Sequence, residues 1–385
     1  MKKTCLFKIL SWFISLVIAM NFTAFADGSF YPASGEDSFP DISAVSYALL
    51  DARTGELLFS RNENQRMPMA SITKIMTALV VLENSKLDEM VTVTSDSCGI
   101  EGSSIYLYEG ETLSVKDLLY ALMLESANDA AVCLAIHVGG SVEEFSDMMN
   151  NRASELGIKN TNFNNPHGLE DPEHYSTARD IALIWQEAMK NSTFRQIVAT
   201  KTHRIDLPDE EGYRFLSNHN KLLKSYEYCI GGKTGFTKTA GRCLVTGAKR
   251  DDLEFVMVTL NDPSDWQDHE NLLNYAMNLY SKVDVAKEGS LTVDMPVVGG
   301  SAKKVILSNI EPLTLSVRDV TKLSSRVEAP RFMYAPVTTT EKPVAKVVYS
   351  YDGKDIGELD LYPQSTVKTV KKDNFLKRIL NSIFK

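Results

Sequence analysis

Pro68-Met69-Ala70-Ser71-Ile72-Thr73-Lys74-Ile75-Met76-Thr77-Ala78 is the stretch from which the rest of the chain is read. A helical pattern begins near Ser71 and runs to about Glu83, with Ile75, Leu79 and Leu82 on one face. Ser71 therefore opens a helix, where free backbone N–H groups and the positive end of the dipole favour negative charge on an attacking or attacked oxygen. Lys74 lies one turn along, which puts its amine on the same face as the Ser71 hydroxyl. An ordinary lysine is protonated at neutral pH and cannot act as a base. Burial and a second nearby cation lower its pKa toward the working range.

By itself S-x-x-K carries little information, because it recurs at Ser301 to Lys304 and at Ser365 to Lys368, both read as solvated surface. S-x-N likewise recurs as Ser60-Arg61-Asn62. The signal is an ordered set: Ser71 to Lys74, then Ser126-Ala127-Asn128, then Lys233-Thr234-Gly235. Ser126 and Asn128 follow an apolar helical run from Leu118 to Leu124. A hydroxyl at Ser126, between two lysines, relays a proton to a leaving amine, while the Asn128 amide holds a substrate peptide bond. Lys233 supplies the second cation, and with Thr234 it suits a terminal carboxylate. Gly235 lets the substrate backbone approach closely. The Phe236 N–H, with that of Ser71, forms an oxyanion hole.

Outward from these motifs, strand-like runs at 45–51 and 56–60 are joined by the hairpin Ala52-Arg53-Thr54-Gly55. Helical patterns follow at 115–138, 142–156 and 177–190, strand signals return at 245–247 and 255–260, and a helix is expected over 268–280. Strands, then helices, then strands imply one sheet built from both ends of the domain with a helical insertion between. Beyond about Asp284 the texture becomes alternating Val, Leu, Ile and Thr, at 291–297, 304–307, 313–317 and 344–351. Asp352-Gly353 then turns the chain into 356–361, so a small all-β domain is expected.

Composition and the two ends bound the setting. A net charge of -9 argues against nucleic acid as a partner. Lys2 and Lys3, the apolar run from Ile9 to Ala19 and Ala24-Phe25-Ala26 read as an export signal, with an uncleaved anchor as the competing reading. Cys98, Cys133, Cys229 and Cys243 show no ligand or staple spacing and read as buried free thiols, while Cys5 leaves with the signal. In the tail Phe375, Leu376, Ile379, Leu380, Ile383 and Phe384 recur in pairs every four residues, opposite Lys377, Arg378 and Lys385. As a helix this segment rises about 20 Å, too short to span a bilayer core of about 30 Å but suited to lie in a membrane interface. The expected divisions are 1–26 signal, 27–42 linker, 43–283 catalytic domain, 284–366 β-rich domain and 367–385 basic amphipathic membrane anchor.

The likeness to a known family extends past the triplets. Segments 70–78 and 124–130, Asn165-Pro166-His167-Gly168-Leu169, Thr177-Ala178-Arg179-Asp180 and Gly232-Lys233-Thr234-Gly235-Phe236-Thr237 resemble signatures of the low-molecular-mass penicillin-binding D-alanyl-D-alanine carboxypeptidases. The resemblance covers about Ser46 to Tyr280. It implies an α/β (α+β) transpeptidase-like fold, a mostly antiparallel sheet between helices with a helical subdomain. It also implies acylation of Ser71 by peptidoglycan stem peptides and by β-lactams, and no cofactor. His167 falls in a segment resembling the loop that borders the family's active site, and is expected to bind substrate or position that loop, with direct catalysis as the alternative. Ala127 stands where Gly is more usual, and the carboxylate-binding arginine of some members has no clear match, Arg242 being a guess. The alternatives are a D,D-endopeptidase, a β-lactamase or a non-catalytic binder. Class A β-lactamases place E-x-x-L-N between S-x-N and K-T-G; here Glu270-Asn271-Leu272-Leu273-Asn274 comes after K-T-G, in a helical pattern. A non-catalytic binder predicts a damaged triplet, and all three triplets are intact.

Overall fold

The computed structural model describes residues 38–207, 212–339 and 342–370. The expected signal segment, Cys5, most of the 27–42 linker and the amphipathic stretch from Asp373 lie outside the described residues. The chain divides into two compact units, with the break between Tyr280 and Ser281.

In the first unit, strands β1 (Ser46–Asp51) and β2 (Leu57–Arg61) precede a 3₁₀ turn at Ala70–Thr73 and helix α1 (Lys74–Asn84). A small ladder of β3 (Met90–Thr92) and β4 (Thr112–Ser114) leads into α2 (Val115–Tyr120), α3 (Asn128–Gly139), α4 (Val142–Glu155), α5 (Ala178–Ala188) and α6 (Ser192–Ala199). A hairpin of β5 (Thr202–Leu207) and β6 (Gly212–Ser217) and a short α7 (Leu222–Ser225) follow. The unit closes with β7 (Cys229–Thr237), β8 (Gly241–Arg250), β9 (Leu253–Leu260) and α8 (Asp265–Leu279).

The main sheet has the order β2-β1-β9-β8-β7, every pair antiparallel, so both ends of the domain build one sheet as expected, and its first and last strands in sequence are neighbours within it. Side chains alternate across it. Ala48, Leu50, Val245, Val256 and Val258 join the core that contains α1, α3 and α5, while Tyr47, Leu49, Leu244, Phe255 and Met257 join the core with α8. A sheet covered on both faces needs apolar residues at successive positions, and this is why 255–260 reads as a continuous hydrophobic run. β7 is left at an edge.

The structure departs from the expected single helix over 115–138. After α2 the chain passes through one π-helical turn at Ala121–Glu125, and Ser126 then adopts the left-handed conformation, φ 60° and ψ 31°. Ala127 is extended, and α3 starts afresh at Asn128. An apolar run looks alike whether it is one helix or two, and the break turns Ser126 out of the helical row. A non-glycine residue held there costs on the order of 1–3 kcal/mol and is characteristic of functional sites. The β5–β6 hairpin was also not anticipated, although Ile205 and Leu216 bury themselves in the core between exposed neighbours such as Arg204 and Phe215.

The second unit is all β. β10 (Ser281–Ala286) pairs with β13 (Leu313–Val317). A six-stranded sheet joins β14 (Leu323–Glu328), β16 (Ala345–Tyr351), β17 (Lys354–Pro363), β12 (Lys304–Ser308), β11 (Thr292–Val298) and β15 (Met333–Tyr334) in that spatial order. Leu307, Leu315, Val347 and Leu361 fill its core. Val367 and Thr369 bridge to Val337 and Gly300, so the first residues of the expected tail helix belong to this unit. Val367 is 2% exposed, and its burial holds the chain extended there.

Candidate active site

The three motifs converge on the side of the main sheet that carries α1. Ala70, 2% exposed, sits at φ +48°, and the 3₁₀ turn it begins places Ser71 at the mouth of α1. This turn is pressed from outside by Gly168, itself at φ +91°. A Cβ on Gly168 would lie 1.9 Å from the Ala70 carbonyl oxygen, so only glycine fits.

Lys74 has no exposed surface. Its Nζ lies 3.0 Å from Ser71 Oγ, 2.6 Å from Asn128 Oδ1 and 2.7 Å from the His167 carbonyl oxygen. The orientation of the Asn128 amide follows from its other end, where Nδ2 donates to the Glu101 carbonyl at 2.5 Å. Burial, then the charge of Lys233, hold the Lys74 pKa well below the usual lysine range, against a smaller opposing pull from Asp129. In the neutral form the amine has two N–H donors and one lone pair. Asn128 Oδ1 and His167 O can only accept, so they take the two donors and the lone pair faces Ser71 Oγ. That is the arrangement of a base ready to receive the serine proton.

Lys233 is 2% exposed and bonds Ser126 Oγ at 2.9 Å and the Thr234 carbonyl at 2.9 Å. Burial lowers its pKa to about 7. Ser126 meets Lys233 directly, whereas Lys74 spends its bonds on Ser71, Asn128 and His167. Gly235 lies against the nucleophile turn: a Cβ there would fall 3.0 Å from Ser71 N and 3.2 Å from Ile72 N. The close approach is thus between β7 and the helix start.

Phe236 pairs with Arg242, whose carbonyl accepts from Asp262 N on the β9 side. A residue in an antiparallel ladder points both of its main-chain groups the same way, so this is a non-hydrogen-bonded pair and the Phe236 N–H faces off the free edge of β7. Among the described residues no backbone acceptor meets the Ser71 N–H either. Two unspent donors beside one hydroxyl are what an oxyanion hole requires. The Phe236 ring is 65% exposed.

Arg242 does not reach this face. Its guanidinium bonds both carboxylate oxygens of Asp265 at 2.8 Å and stacks on Trp266, on the α8 side of the sheet, because it shares the parity of Leu244. The His167 ring braces its own loop: Nδ1 accepts from Leu169 N at 3.1 Å, and burial lowers its pKa to about 3. Glu270 to Asn274 lie within α8, away from the motifs. The four described cysteines are free, Cys133 and Cys243 buried, Cys98 and Cys229 only partly, which corrects the expectation of uniform burial.

Several residues of the site were missed from sequence. Glu101 and Gly102 hold Asn128, and a Cβ on Gly102 would lie 2.8 Å from its Nδ2. Asp129, fully buried, gathers the main-chain N–H groups of Ile105 and Leu107 and so ties the 101–107 loop to α3. A charged residue inside an apolar helical run was the available signal for Asp129. Glu101 acts through its carbonyl and had none. His174 contacts Thr73 and was also not singled out.

Residues 34–264 match the family model described as D-alanyl-D-alanine carboxypeptidase, and 280–369 match one described as penicillin-binding protein 5, C-terminal domain. The chain is 30% identical over 379 residues, 95% of its length and 97% of the relative's, to the D-alanyl-D-alanine carboxypeptidase DacF of Bacillus subtilis. It is 36% identical over 259 residues, 62% of this chain and 89% of the relative, to a D-alanyl-D-alanine carboxypeptidase of a Streptomyces species. Its fold superposes on penicillin binding protein 5 from Haemophilus influenzae with a TM-score of 0.75 at 29% identity, covering 86% of this chain and 98% of that one. With the ordered motifs assembled around one buried lysine and the match running through both units, the chain belongs to the D-alanyl-D-alanine carboxypeptidase family.

Proposed function

We propose that the protein is a serine-type D-alanyl-D-alanine carboxypeptidase that removes the terminal D-Ala from peptidoglycan stem peptides, and that β-lactams acylate the same serine. The observation that carries this reading is the fully buried Lys74 amine, 3.0 Å from Ser71 Oγ and held by two acceptors that cannot donate to it. Lys74 takes the Ser71 proton as Oγ bonds to the carbonyl carbon of the penultimate D-Ala. The developing oxyanion is met by the N–H groups of Ser71 and Phe236. The C–N bond then breaks, and the departing D-Ala amine takes a proton through Ser126, which Lys233 holds. Water cleaves the resulting ester, returning Ser71 and a shortened stem peptide. Thr234 and Lys233 suit the substrate carboxylate. Asn128, with both ends of its amide engaged within the chain, orients Lys74 and borders the substrate.

The finer setting belongs to the same reading. An N-terminal signal exports the chain, and the basic amphipathic segment from Asp373 holds it peripherally on the outer face of the cytoplasmic membrane. Residues 43–283 carry catalysis and 284–366 form a β-rich spacer. Removing 373–385 then moves the mature protein from membrane to soluble fractions with peptidase activity intact.

Release of D-Ala from a D-Ala-D-Ala-terminated peptide, together with labelling by a fluorescent penicillin, tests the core of the proposal. Both are expected in the wild type and absent in Ser71→Ala. Labelling that survives in Ser71→Ala, or that maps to Ser301 or Ser365, overturns it.

A further inference from the structure

His174 lies on no motif, yet it ends a chain of hydrogen bonds that reaches the peptide group in front of the nucleophile. The Asn164 N–H donates to His174 Nδ1 at 3.1 Å, so the proton of the neutral ring sits on Nε2. Nε2 is 2.8 Å from Thr73 Oγ1, and with its proton it donates there. The Thr73 hydroxyl, its own proton free for the next link, donates to the Ala70 carbonyl at 2.8 Å. Each member is a donor to one side and an acceptor to the other, and the direction of the whole chain is set by the Asn164 amide. The ring is 4% exposed and edge-packed on Phe163, with centroids 5.9 Å apart. Burial holds its pKa down to about 4, with Asp171 opposing and Lys74 adding to the effect, so the neutral tautomer is the working form.

What the chain holds is a strained peptide. Ala70 occupies the left-handed region at φ +48°, a conformation that disfavours any residue but glycine. The Ala70 C=O and the Ser71 N–H belong to one planar trans peptide unit and point in opposite directions. Fixing the carbonyl oxygen from the Thr73 side, with Gly168 packed against the same oxygen, therefore fixes the aim of the Ser71 N–H.

We infer that His174 is a positioning residue which, through the Thr73 hydroxyl and the Ala70 carbonyl, aims the Ser71 N–H into the oxyanion hole. The inference rests on the proposed acyl-enzyme mechanism, since it assigns a role only if an oxyanion forms beside Ser71. The imidazole touches neither substrate nor reacting atoms. Its contribution is a direction for one backbone donor, worth less than that donor itself, whose outright loss costs about 100- to 1,000-fold in rate.

The test uses the full chain and four single variants, His174→Ala, His174→Gln, Thr73→Val and Thr73→Ser, with the double variant His174→Ala/Thr73→Val. Acylation by a fluorescent penicillin is followed as a rate per titrated site, so that the fraction of folded enzyme is measured separately. Thr73→Val keeps the shape of the buried side chain and removes only the hydroxyl. It is expected to lower the acylation rate about tenfold or more while the site still titrates fully. On a D-Ala-D-Ala peptide kcat should fall with KM unchanged, the signature of an interaction made in the transition state. Thr73→Ser and His174→Gln, which keep a donor at each link, should recover most of the rate. The double variant should be no slower than Thr73→Val, because one chain cannot be broken twice. Wild-type rates per titrated site in Thr73→Val, or losses in the two single variants that multiply in the double, overturn the inference. A penicillin adduct on Ser71→Ala is a separate failure, of the acyl-enzyme reading itself.

Discussion

Ser71-Ile72-Thr73-Lys74 and Ser301-Ala302-Lys303-Lys304 spell the same pattern and have opposite fates. The first straddles the start of α1, where the helical repeat brings residues three apart onto one face, and its lysine amine is sealed 3.0 Å from the serine hydroxyl. The second runs into β12, outside any helical repeat, and its lysine is 65% exposed and bonds Asp294 at 2.7 Å. Burying an ammonium costs several kcal/mol unless its protons are satisfied or it gives one up. The fold meets that demand at Lys74 with acceptors from α3 and from the 165–169 loop, segments distant in sequence. Spacing nominates a site; burial with a defined set of acceptors gives it chemistry.

The contrast is broken most severely by Lys74→Arg. A guanidinium stays charged throughout the accessible pH range, so acylation by penicillin should fall by about a thousandfold or more, whereas Lys304→Arg should leave the rate unchanged. Acylation near the wild-type rate in Lys74→Arg would remove Lys74 as the base.

Gly168→Ala comes next. Its Cβ would sit 1.9 Å from the Ala70 carbonyl oxygen, so the nucleophile turn must move, and a loss of about 100-fold in acylation is expected along with a lower Tm. Gly353→Ala makes the matched control in the β unit. It shares a positive φ, at 82°, but meets nothing within 4 Å, so only the conformational cost of about 1 kcal/mol should appear, with acylation untouched.

A smaller effect separates the two buried lysines. The Lys233 charge is the second cause lowering the Lys74 pKa, after burial. Lys233→Met removes a like charge, which makes protonated Lys74 easier to keep. The rising limb of the pH–acylation profile should therefore move to higher pH in this variant, beneath a lower plateau caused by the missing partner of Ser126. A limb that stays in place shows that burial alone sets Lys74.

Much of this site was legible because the chemistry sits at local spacings. Ser71 and Lys74 are one helical turn apart, and Lys233 and Gly235 share a strand. That both ends of the domain contribute to one sheet followed from where the apolar runs fell; the order of its strands did not. What the sequence hid was carried by main chain or by tertiary burial. The break at Ser126 falls inside a stretch whose pattern reads as one helix, the Lys74 acceptors include a carbonyl that any residue would offer, and His174 acts through a threonine 101 positions away. Arg242 misled for the same reason. Whether a residue on a strand beside the site faces it depends on strand parity, which the motif alone does not fix.

The smallest expected effect is thermodynamic. Burial lowers the folded pKa of Lys233 to about 7, below the ordinary lysine value, so between the two the unfolded chain binds more protons than the folded one. Stability contributed by this group must then rise with pH across that window, by at most about 1.4 kcal/mol per pH unit. The difference in unfolding free energy between the wild type and Lys233→Met, measured by urea titration from pH 7 to 8.5, should move in favour of the wild type as pH increases. A difference independent of pH would mean that Lys233 titrates normally in the fold.

The protonation state of Lys74 is the centre of all this, and it can be read directly. In full-length protein carrying ¹³C-labelled lysine, with Lys74→Arg to assign the signal, the Lys74 Cε shift is followed against pH in the absence of ligand. The expected result is a midpoint well below the ordinary lysine range. A Lys74 signal that stays in its protonated position up to the ordinary lysine range would contradict a neutral amine facing Ser71, and with it the base assigned to this site.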